Sequence, residues 1–163
     1  MKRMIIFDRD GTLVVDYGYT HKVEDLRWMK GALQLLHELN QMGILVVVAT
    51  NQSGIGRGYY SQEEVNIFHA QMSHEAKLKG GKIESFYVCP HLPDINGMPV
   101  CSCRKPNPGM LINAMKDFNV YSEECIFVGN SRSDFEAANK AEMQFVLVEK
   151  ELDIDKVLEA CKC

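Results

Sequence analysis

The stretch IIFDRDGTLV, residues 5–14, joins an apolar run to two closely spaced aspartates. The run RMIIF, residues 3–7, has the length and the apolar character of a buried strand that ends at a turn. Asp8 and Asp10 follow it, separated only by Arg9. Two carboxylates this close repel each other unless a cation or an anion-handling role holds them together. The residues that surround Asp8 and Asp10 must therefore indicate which ligand the two carboxylates hold.

Apolar runs and amphipathic segments alternate along the rest of the chain. Further buried strands are predicted at ILVVVA (44–49), SFYV (85–88), CIFVG (125–129) and FVLV (145–148). Helices are predicted between them: from Ala32 to Gly43, from a capping box of Ser61 with Glu64, from an Asn107 cap, and after Ser133. The alternation predicts an α/β fold, a Rossmann-like, doubly wound parallel sheet, in a single domain over residues 1–163.

The composition excludes several classes of protein. Of the 163 residues, 46% are apolar and 25% are charged, and the net charge is −4, without the basic excess of a nucleic-acid-binding protein. The longest apolar run, ILVVVAT at 44–50, is too short to span a membrane, and no export signal is readable. We therefore expect a cytoplasmic monomer with a small-molecule partner and with neither a nucleic-acid nor a membrane partner.

Polar side chains follow the predicted strands at the edge where ligands bind in parallel sheets. They are Asp8 and Asp10 after the first strand, Thr50, Asn51, Gln52 and Ser53 after the second, Arg104 and Lys105 beyond the third, and Asn130 and Asp134 after the fourth. Such a set suits phosphoryl transfer, in which one carboxylate attacks phosphorus and a second one moves protons. Cationic groups and Mg²⁺ then offset the phosphoryl charge. Each motif alone is weak, whereas their order and shared placement are informative.

The motifs resemble those of the haloacid dehalogenase superfamily of phosphatases, whose first motif is D-x-D-G-T. Within it, the chain is most similar to the heptose bisphosphate phosphatases, which are related to the histidinol-phosphate phosphatases. The segments that carry the similarity are DRDGTL (8–13), DYGYTH (16–21), TNQSGIGRGYYSQEE (50–64) and CPH…CSCRKPNPGM (89–110). The resemblance implies removal of the 7-phosphate of D-glycero-D-manno-heptose 1,7-bisphosphate, a step in lipopolysaccharide synthesis.

The same resemblance implies a role for each matching residue. Asp8 would be the nucleophile and Asp10 the general acid and base, and Thr50 and Lys105 would hold the phosphoryl group. Mg²⁺ would bind the Asp8 side chain and the Asp10 main-chain carbonyl. Substrate would contact the segments 16–19 and 50–53 and Arg104; these residues are Asp16, Tyr17, Gly18, Tyr19, Asn51, Gln52, Ser53 and Arg104. With no large cap domain between the motifs, the loops 16–28 and 52–60 must shape the pocket.

Three of the six cysteines, together with one histidine, lie between residues 89 and 103 and form a candidate zinc site. Cys89, His91, Cys101 and Cys103 provide three thiolates and one imidazole, a closed tetrahedral set that is typical of structural Zn²⁺. In a reducing compartment this reading is favoured over a disulfide. The site would fix Arg104 and Lys105, which follow directly. Cys125 is predicted to lie in the core, whereas Cys161 and Cys163 have no assigned role.

The fourth motif departs from the family pattern. That pattern reads Gly-Asp-Lys, but this chain has Asn130 and Ser131 after Gly129. An asparagine oxygen can still bind Mg²⁺ but brings no charge, and Asp134 is a possible further ligand. Three interpretations stay open: an active enzyme with weaker Mg²⁺ affinity, a catalytically impaired sugar-phosphate-binding protein, or a deliberately introduced substitution.

Some basic side chains give weaker signals. Arg57 is a candidate for gripping the second phosphate of a bisphosphate, and a solvated loop arginine is an equally good interpretation. His21 lies in the segment that resembles the substrate loop. His37, His69 and His74 are expected at ordinary surface or half-buried positions on helices.

Overall fold

The computed structural model describes residues 1–98 and 100–162. Strands and helices alternate along the described chain, except that two helices follow the second strand. In chain order they are β1 (Met4–Phe7), α1 (Ala32–Gln41), β2 (Leu45–Asn51), α2 (Ser53–Gly56), α3 (Gln62–Leu78), β3 (Ser85–Cys89), α4 (Gly109–Phe118), β4 (Cys125–Gly129), α5 (Arg132–Lys140), β5 (Gln144–Leu147) and α6 (Ile154–Lys162). Short 3-10 turns occur at Val23–Asp25 and Ser122–Glu124.

All the strands are parallel and lie in the order β3-β2-β1-β4-β5. Phe7, the last residue of β1, pairs with Val48 on one side and Val128 on the other. Successive connections run outward from β1 in one direction and then from β4 in the other. The strand order therefore reverses between β1 and β4, which is where a ligand crevice forms in such sheets. The predicted doubly wound α/β fold is confirmed.

Each face of the sheet is covered by its own hydrophobic cluster. Ile5 and Phe7 of β1 point to the face covered by α1, α3 and α6, whereas Met4 and Ile6 point to the face covered by α4 and α5. This alternation follows from the two-residue period of a strand. Because both faces are packed, β1 is apolar throughout, and it places Asp8 at the first solvent-accessible position beyond the sheet.

The helix starts follow the sequence with two differences. The Ser61–Glu64 capping box is present at α3, as predicted. The Asn107 cap is wrong: α4 begins after Pro108, and the Asn107 amide instead donates to the Cys101 carbonyl at 3.0 Å. At α5 the cap is Ser131, whose hydroxyl accepts from the Asp134 N–H at 3.2 Å, so that helix begins before Ser133.

The segment between β1 and α1, residues 8–31, forms a loop rather than a further domain. Within it the described backbone makes isolated bridges between Asp10 and Val14 and between Val14 and Trp28. Over the described part of the chain, no large cap is inserted there. None of the helices in residues 1–98 and 100–162 combines the length and the apolar character needed to cross a bilayer.

Candidate active site

A cavity of about 410 Å³ lies at the carboxyl edge of the sheet, beside the point where the strand order reverses. Its lining comes from the strand ends and from the loops above them. The lining residues are Asp8, Asp10, Asp16, Gly18, Tyr19, Thr50, Asn51, Gln52, Ser53, Tyr60, Lys105, Asn130, Ser131, Ser133 and Asp134. The structure thus brings together most of the residues that the sequence singled out. It adds Tyr60, Ser131 and Ser133, to which the sequence analysis assigned no role in binding or catalysis.

Lys105 is held between two carboxylates at the base of this cavity. Its Nζ lies 2.7 Å from Asp8 Oδ1 and 2.7 Å from Asp134 Oδ1, and it donates to the Ala49 carbonyl at 2.9 Å. The three ammonium protons are thereby matched by three acceptors. Burial lowers the pKa of Lys105, but the two carboxylates outweigh burial and leave the pKa above its usual value. The side chain is therefore a buried, permanently charged cation.

Asp8 is the carboxylate that faces both the cavity and this lysine. Burial, as the largest cause, raises the pKa of Asp8 to about 6, with Lys105 lowering it and Asp134 raising it further. At neutral pH the group is therefore mainly ionised, as a nucleophile must be. Lys105 occupies Oδ1, and over the described residues Oδ2 has no hydrogen-bond donor.

Asp10 is paired with a different cation, Arg9. Arg9 Nε donates to Asp10 Oδ1 and Arg9 Nη2 donates to Asp10 Oδ2, both at 3.0 Å, while Gln52 Nε2 donates to the same Oδ2 at 3.0 Å. Burial nevertheless raises the pKa of Asp10 against the opposing influence of Arg9 and Gln52. A carboxyl group with a raised pKa is suited to giving and taking protons. Asp8 and Asp10 thus have separate environments although one residue separates them.

Asn51 and Gln52 line the cavity, yet their amides are engaged with the protein. Asn51 holds the backbone of Lys105 from both sides, donating to its carbonyl and accepting from its N–H at 3.0 Å each. Gln52 also donates to Thr50 Oγ1 at 2.9 Å and accepts from the Tyr60 hydroxyl at 2.7 Å. Both amides therefore position the catalytic candidates; their predicted contact with substrate stays a prediction.

The rim of the cavity is built by two loops that touch each other. Tyr19 meets Tyr59 edge-on with ring centroids 5.0 Å apart, and His21 stacks on Tyr60 at 4.3 Å. Asp16 stabilises the first loop by accepting from the Gly18 N–H at 2.8 Å. Both of the loops predicted to shape the pocket, 16–28 and 52–60, contribute lining residues.

Three predicted substrate contacts lie outside the lining residues. Tyr17 and Arg57 are exposed on the rim loops. Arg104 turns away, donating from Nη1 to the His91 carbonyl at 3.2 Å. For these three residues a role in substrate binding is a prediction that would require the side chains to swing toward the cavity.

Asn130 and Asp134 end the cavity on the β4 side. Asp134 Oδ2 accepts from the Asn130 and Ser131 N–H groups at 3.1 Å each, so both of its oxygens have partners. Asn130 packs against Gly11, where a Cβ would lie only 2.2 Å from the Asn130 amide nitrogen, and Gly11 has a φ of +76°. Only glycine suits that position. Asn130 is exposed toward the crevice, which leaves its side-chain oxygen available to a ligand.

The cysteine loop forms a second candidate site next to the first. The ligand atoms of Cys89, His91, Cys101 and Cys103 all lie within 4.8 Å of one another. The sulfurs are free thiols, and Cys103 Sγ is 2.9 Å from Cys89 Sγ. Burial raises the pKa of Cys89; at Cys101 burial is outweighed by hydrogen bonds, led by the one from Arg104 N, and the pKa falls to about 7. Three sulfurs and one nitrogen at this spacing could hold Zn²⁺.

Among the described residues, Cys125 and Cys161 belong to neither site. Cys125 is buried in the core, as predicted, and Cys161 is buried as well, donating to the Val157 carbonyl at 3.1 Å. Cys163 lies outside the described residues.

Comparison with known proteins identifies the family. The family described as polynucleotide kinase 3 phosphatase matches residues 3–152. The D-glycero-beta-D-manno-heptose-1,7-bisphosphate 7-phosphatase of Pasteurella multocida is 36% identical over 152 residues, which cover 92% of this chain and 83% of that protein. The protein of the same name from Escherichia coli K12 is 35% identical over 137 residues, covering 82% of this chain and 72% of that protein.

A solved structure gives the same answer. The D,D-heptose 1,7-bisphosphate phosphatase from B. bronchiseptica, complexed with magnesium and phosphate, matches with a TM-score of 0.83 at 33% identity, covering 97% of this chain and 86% of that one. The chain therefore belongs to the polynucleotide kinase 3 phosphatase family. The resemblance to haloacid dehalogenase-type phosphatases that was read from the motifs is confirmed.

Proposed function

We propose that the protein is a Mg²⁺-dependent phosphatase that removes the 7-phosphate from D-glycero-D-manno-heptose 1,7-bisphosphate. The main support is the pair Asp8 and Asp10, which line one cavity but are held by different buried cations, Lys105 and Arg9. That arrangement suits one carboxylate for attack and the other for proton transfer. The names of the relatives in P. multocida and E. coli support the choice of substrate.

In the first step, a carboxylate oxygen of Asp8 attacks phosphorus and forms an acyl-phosphate bond. The bond between phosphorus and the sugar oxygen breaks, and Asp10 donates its proton to that oxygen. Lys105, 2.7 Å from Asp8, and the Thr50 hydroxyl line the same cavity and would hold the phosphoryl group carried by Asp8. A cation at this distance offsets the charge on the phosphoryl oxygens.

In the second step, water attacks the same phosphorus atom. The bond from phosphorus to Asp8 breaks, Asp10 accepts the proton of the water, and inorganic phosphate leaves. Asp8 and Asp10 return to their starting states, so one molecule of water is consumed in each cycle. Asp10 must therefore keep one orientation in two successive proton transfers.

The oxygen donors at the cavity fit a hard divalent cation. Asp8, the Asp10 main-chain carbonyl and Asn130 would hold Mg²⁺, while Asp134 has both of its oxygens committed to Lys105 and to backbone N–H groups. When bound, the ion would supply positive charge that reduces the repulsion between carboxylate and phosphate. Asn130 brings an oxygen without a charge, so we expect Mg²⁺ to bind more weakly than to a site with aspartate there.

A structural Zn²⁺ held by Cys89, His91, Cys101 and Cys103 belongs to the same proposal. It would fix the segment that carries Lys105 into the cavity, because Arg104 N already donates to Cys101 Sγ at 3.3 Å. The proposal treats residues 1–163 as one phosphatase domain, acting as a monomer. A cytoplasmic location would keep the thiols reduced.

The substrate contacts of the proposal are Asp16, Tyr17, Gly18, Tyr19, Asn51, Gln52, Ser53, Arg57 and Arg104. The rim loops support it, since they close one side of the cavity and leave room for a sugar. The net charge of −4 favours a small phosphate ester over a polynucleotide, whose backbone calls for a basic surface. Histidinol phosphate is the rival substrate, and faster turnover of it than of the heptose bisphosphate would replace the proposal.

The deciding experiment measures phosphate release from the heptose bisphosphate against Mg²⁺ concentration, for this chain and for Asn130→Asp. An Asp8→Asn variant controls for contaminating phosphatase. Turnover by this chain, with a lower Mg²⁺ requirement in Asn130→Asp, would support the proposal. Turnover by Asn130→Asp alone would show a sugar-phosphate-binding protein that has lost catalysis.

A further inference from the structure

Arg9 lies between the two catalytic aspartates, but its side chain leaves the cavity and enters the protein. It is fully buried, and its guanidinium carbon lies 4.6 Å from the centre of the Phe68 ring. Beyond Asp10, it donates to the Thr20 carbonyl and contacts His69 Nε2 at 3.1 Å from Nη1. All three guanidinium nitrogens therefore have acceptors, which Asp10, Thr20 and His69 contribute.

His69 is the acceptor contributed by α3. Since every guanidinium N–H is a donor, His69 Nε2 must accept, and the ring must be neutral with its proton on Nδ1. The ring is 5% exposed and stacks on Phe86 at 4.2 Å with an interplanar angle of 11°. Burial, followed by the charge of Arg9, lowers the pKa of His69 to about 3, which agrees with a neutral ring. Its predicted surface or half-buried position is wrong.

A histidine at this place is not explained by packing. Val65, Phe68, Met72 and Ala76 make α3 an amphipathic helix that buries apolar side chains, and His69 lies beside them. Burying a polar ring is unfavourable unless it gains a specific partner, and here the partner is Arg9. A neutral acceptor also suits this place better than a carboxylate, which would compete with Asp10 for the guanidinium.

We propose that His69 is a positioning residue for the reaction: through Arg9, it fixes the orientation in which the Asp10 carboxylate exchanges protons. This inference rests on the proposed phosphatase function. With Nη1 anchored on α3 and Nη2 on Thr20, the guanidinium can present only one edge to Asp10, and it does so bidentately. Without the acceptor at position 69, Arg9 Nη1 would be buried and unpaired. The guanidinium edge that faces Asp10 would then no longer be held in one orientation.

The test compares two substitutions of His69 by stopped-flow kinetics with p-nitrophenyl phosphate and saturating Mg²⁺. His69→Phe keeps a stacking ring but removes the acceptor, whereas His69→Gln keeps a neutral acceptor. His74→Phe, at an exposed position of the same helix, is the matched control. Nitrophenolate leaves without a proton, so the first step tolerates a misplaced Asp10, whereas the attack of water requires Asp10 as base.

For His69→Phe we expect a burst of about one nitrophenolate per site and a kcat about 10- to 100-fold lower, part of the 10²–10⁴-fold that general acid–base catalysis supplies. KM should not rise. His69→Gln should keep kcat within about threefold of the natural chain, as rescue by a conservative acceptor, and His74→Phe should match the natural chain. If His69→Phe does not fold, Arg9→Lys, which keeps the charge but loses the bidentate edge, should give the same burst.

An unchanged kcat without a burst in His69→Phe would overturn the inference, as would equal losses in His69→Phe and His69→Gln, which would indicate packing alone. The phosphatase proposal fails in a different way, through phosphate release that is as fast in Asp8→Asn as in the natural chain. Release that depends on Asp8 but is insensitive to position 69 would therefore reject this inference only.

Discussion

The crevice at the strand ends and the cysteine loop are neighbours, but they are held in place by different means. In the crevice, Lys105 balances Asp8 and Asp134, and Arg9 balances Asp10. In the cysteine loop, four ligand atoms gather within 4.8 Å, and their mutual contacts are between thiols and an imidazole. The crevice folds with its own cations, whereas under the proposed zinc site the loop would gain its stabilisation from an added ion.

The two regions meet in one short segment of chain. Cys103 belongs to the loop and Lys105 to the crevice, and Arg104 between them is tied to the loop through its N–H on Cys101 and its guanidinium on the His91 carbonyl. A disturbance of the loop should therefore reach the crevice through the position of Lys105. The contrast can be tested by removing Lys105 from the crevice and the proposed metal from the cysteine loop.

The largest effect should come from removing the shared cation of the crevice. In Lys105→Met, Asp8 and Asp134 stay buried without the cation that balances their charge, so we expect a loss of about 3–5 kcal/mol in the free energy of unfolding. Phosphatase kcat should fall by about 10³-fold or more, because a charge beside the phosphoryl group is lost. Urea unfolding and steady-state kinetics measure both changes.

The control is Lys82→Met, at an exposed pair with Glu84, which should cost less than about 1 kcal/mol of unfolding free energy. Equal losses of stability in the two variants would mean that the crevice does not depend on its own cation.

Removal of metal from the cysteine loop should have the next largest effect. A zinc chelator should lower Tm by on the order of 10 °C, because four clustered ligands lose the ion that holds them. Cys103→Ser should abolish this response. Cys161→Ala, at a buried thiol elsewhere, should keep it. A chelator-independent Tm, in protein that contains no zinc by elemental analysis, would contradict the contrast between the two regions.

A smaller effect should appear on acidification, through His69. Unfolded histidine takes up a proton below its ordinary pKa near 6.5, while in the fold His69 stays neutral down to a pKa of about 3. The unfolded state therefore binds more protons across that interval, and stability falls with falling pH. Between pH 7 and pH 5 the expected loss is about 2 kcal/mol. In urea unfolding at each pH, His69→Phe should lose this pH dependence and His74→Phe should retain it. Parallel pH profiles in the unsubstituted protein and both variants would show that His69 makes no such contribution.

The smallest effect is expected when a charge is added to the crevice. Asn130→Asp introduces a carboxylate that neither Lys105 nor Arg9 balances, so without Mg²⁺ the protein should lose about 1 kcal/mol. Added Mg²⁺ should then raise its Tm more than that of the natural chain. Thermal melts with and without MgCl₂ make the measurement. An identical response to Mg²⁺ in both proteins would place the ion away from residue 130.

The sequence predicts the residues that line the crevice better than it predicts the buried contacts that hold them in place. Asp8, Thr50, Lys105 and Asn130 could be brought together in advance, because parallel strands end at one edge and the strands are marked by local apolar runs. The paths of Arg9 and His69 could not, since their contact joins residues 60 positions apart and depends on how α3 packs on the sheet. The same holds for Tyr60, which contacts Asp10 only through Gln52.

The aromatic rim of the cavity has a consequence for changing the range of esters that the protein accepts. Tyr19 and Tyr59 touch each other at the mouth, whereas Tyr60, one position further, donates to the glutamine that holds Asp10. A combinatorial library aimed at new specificities should therefore randomise positions 19 and 59 together and leave position 60 fixed. Tyr59 would then be open to substitution, whereas its neighbour Tyr60 would have to be kept.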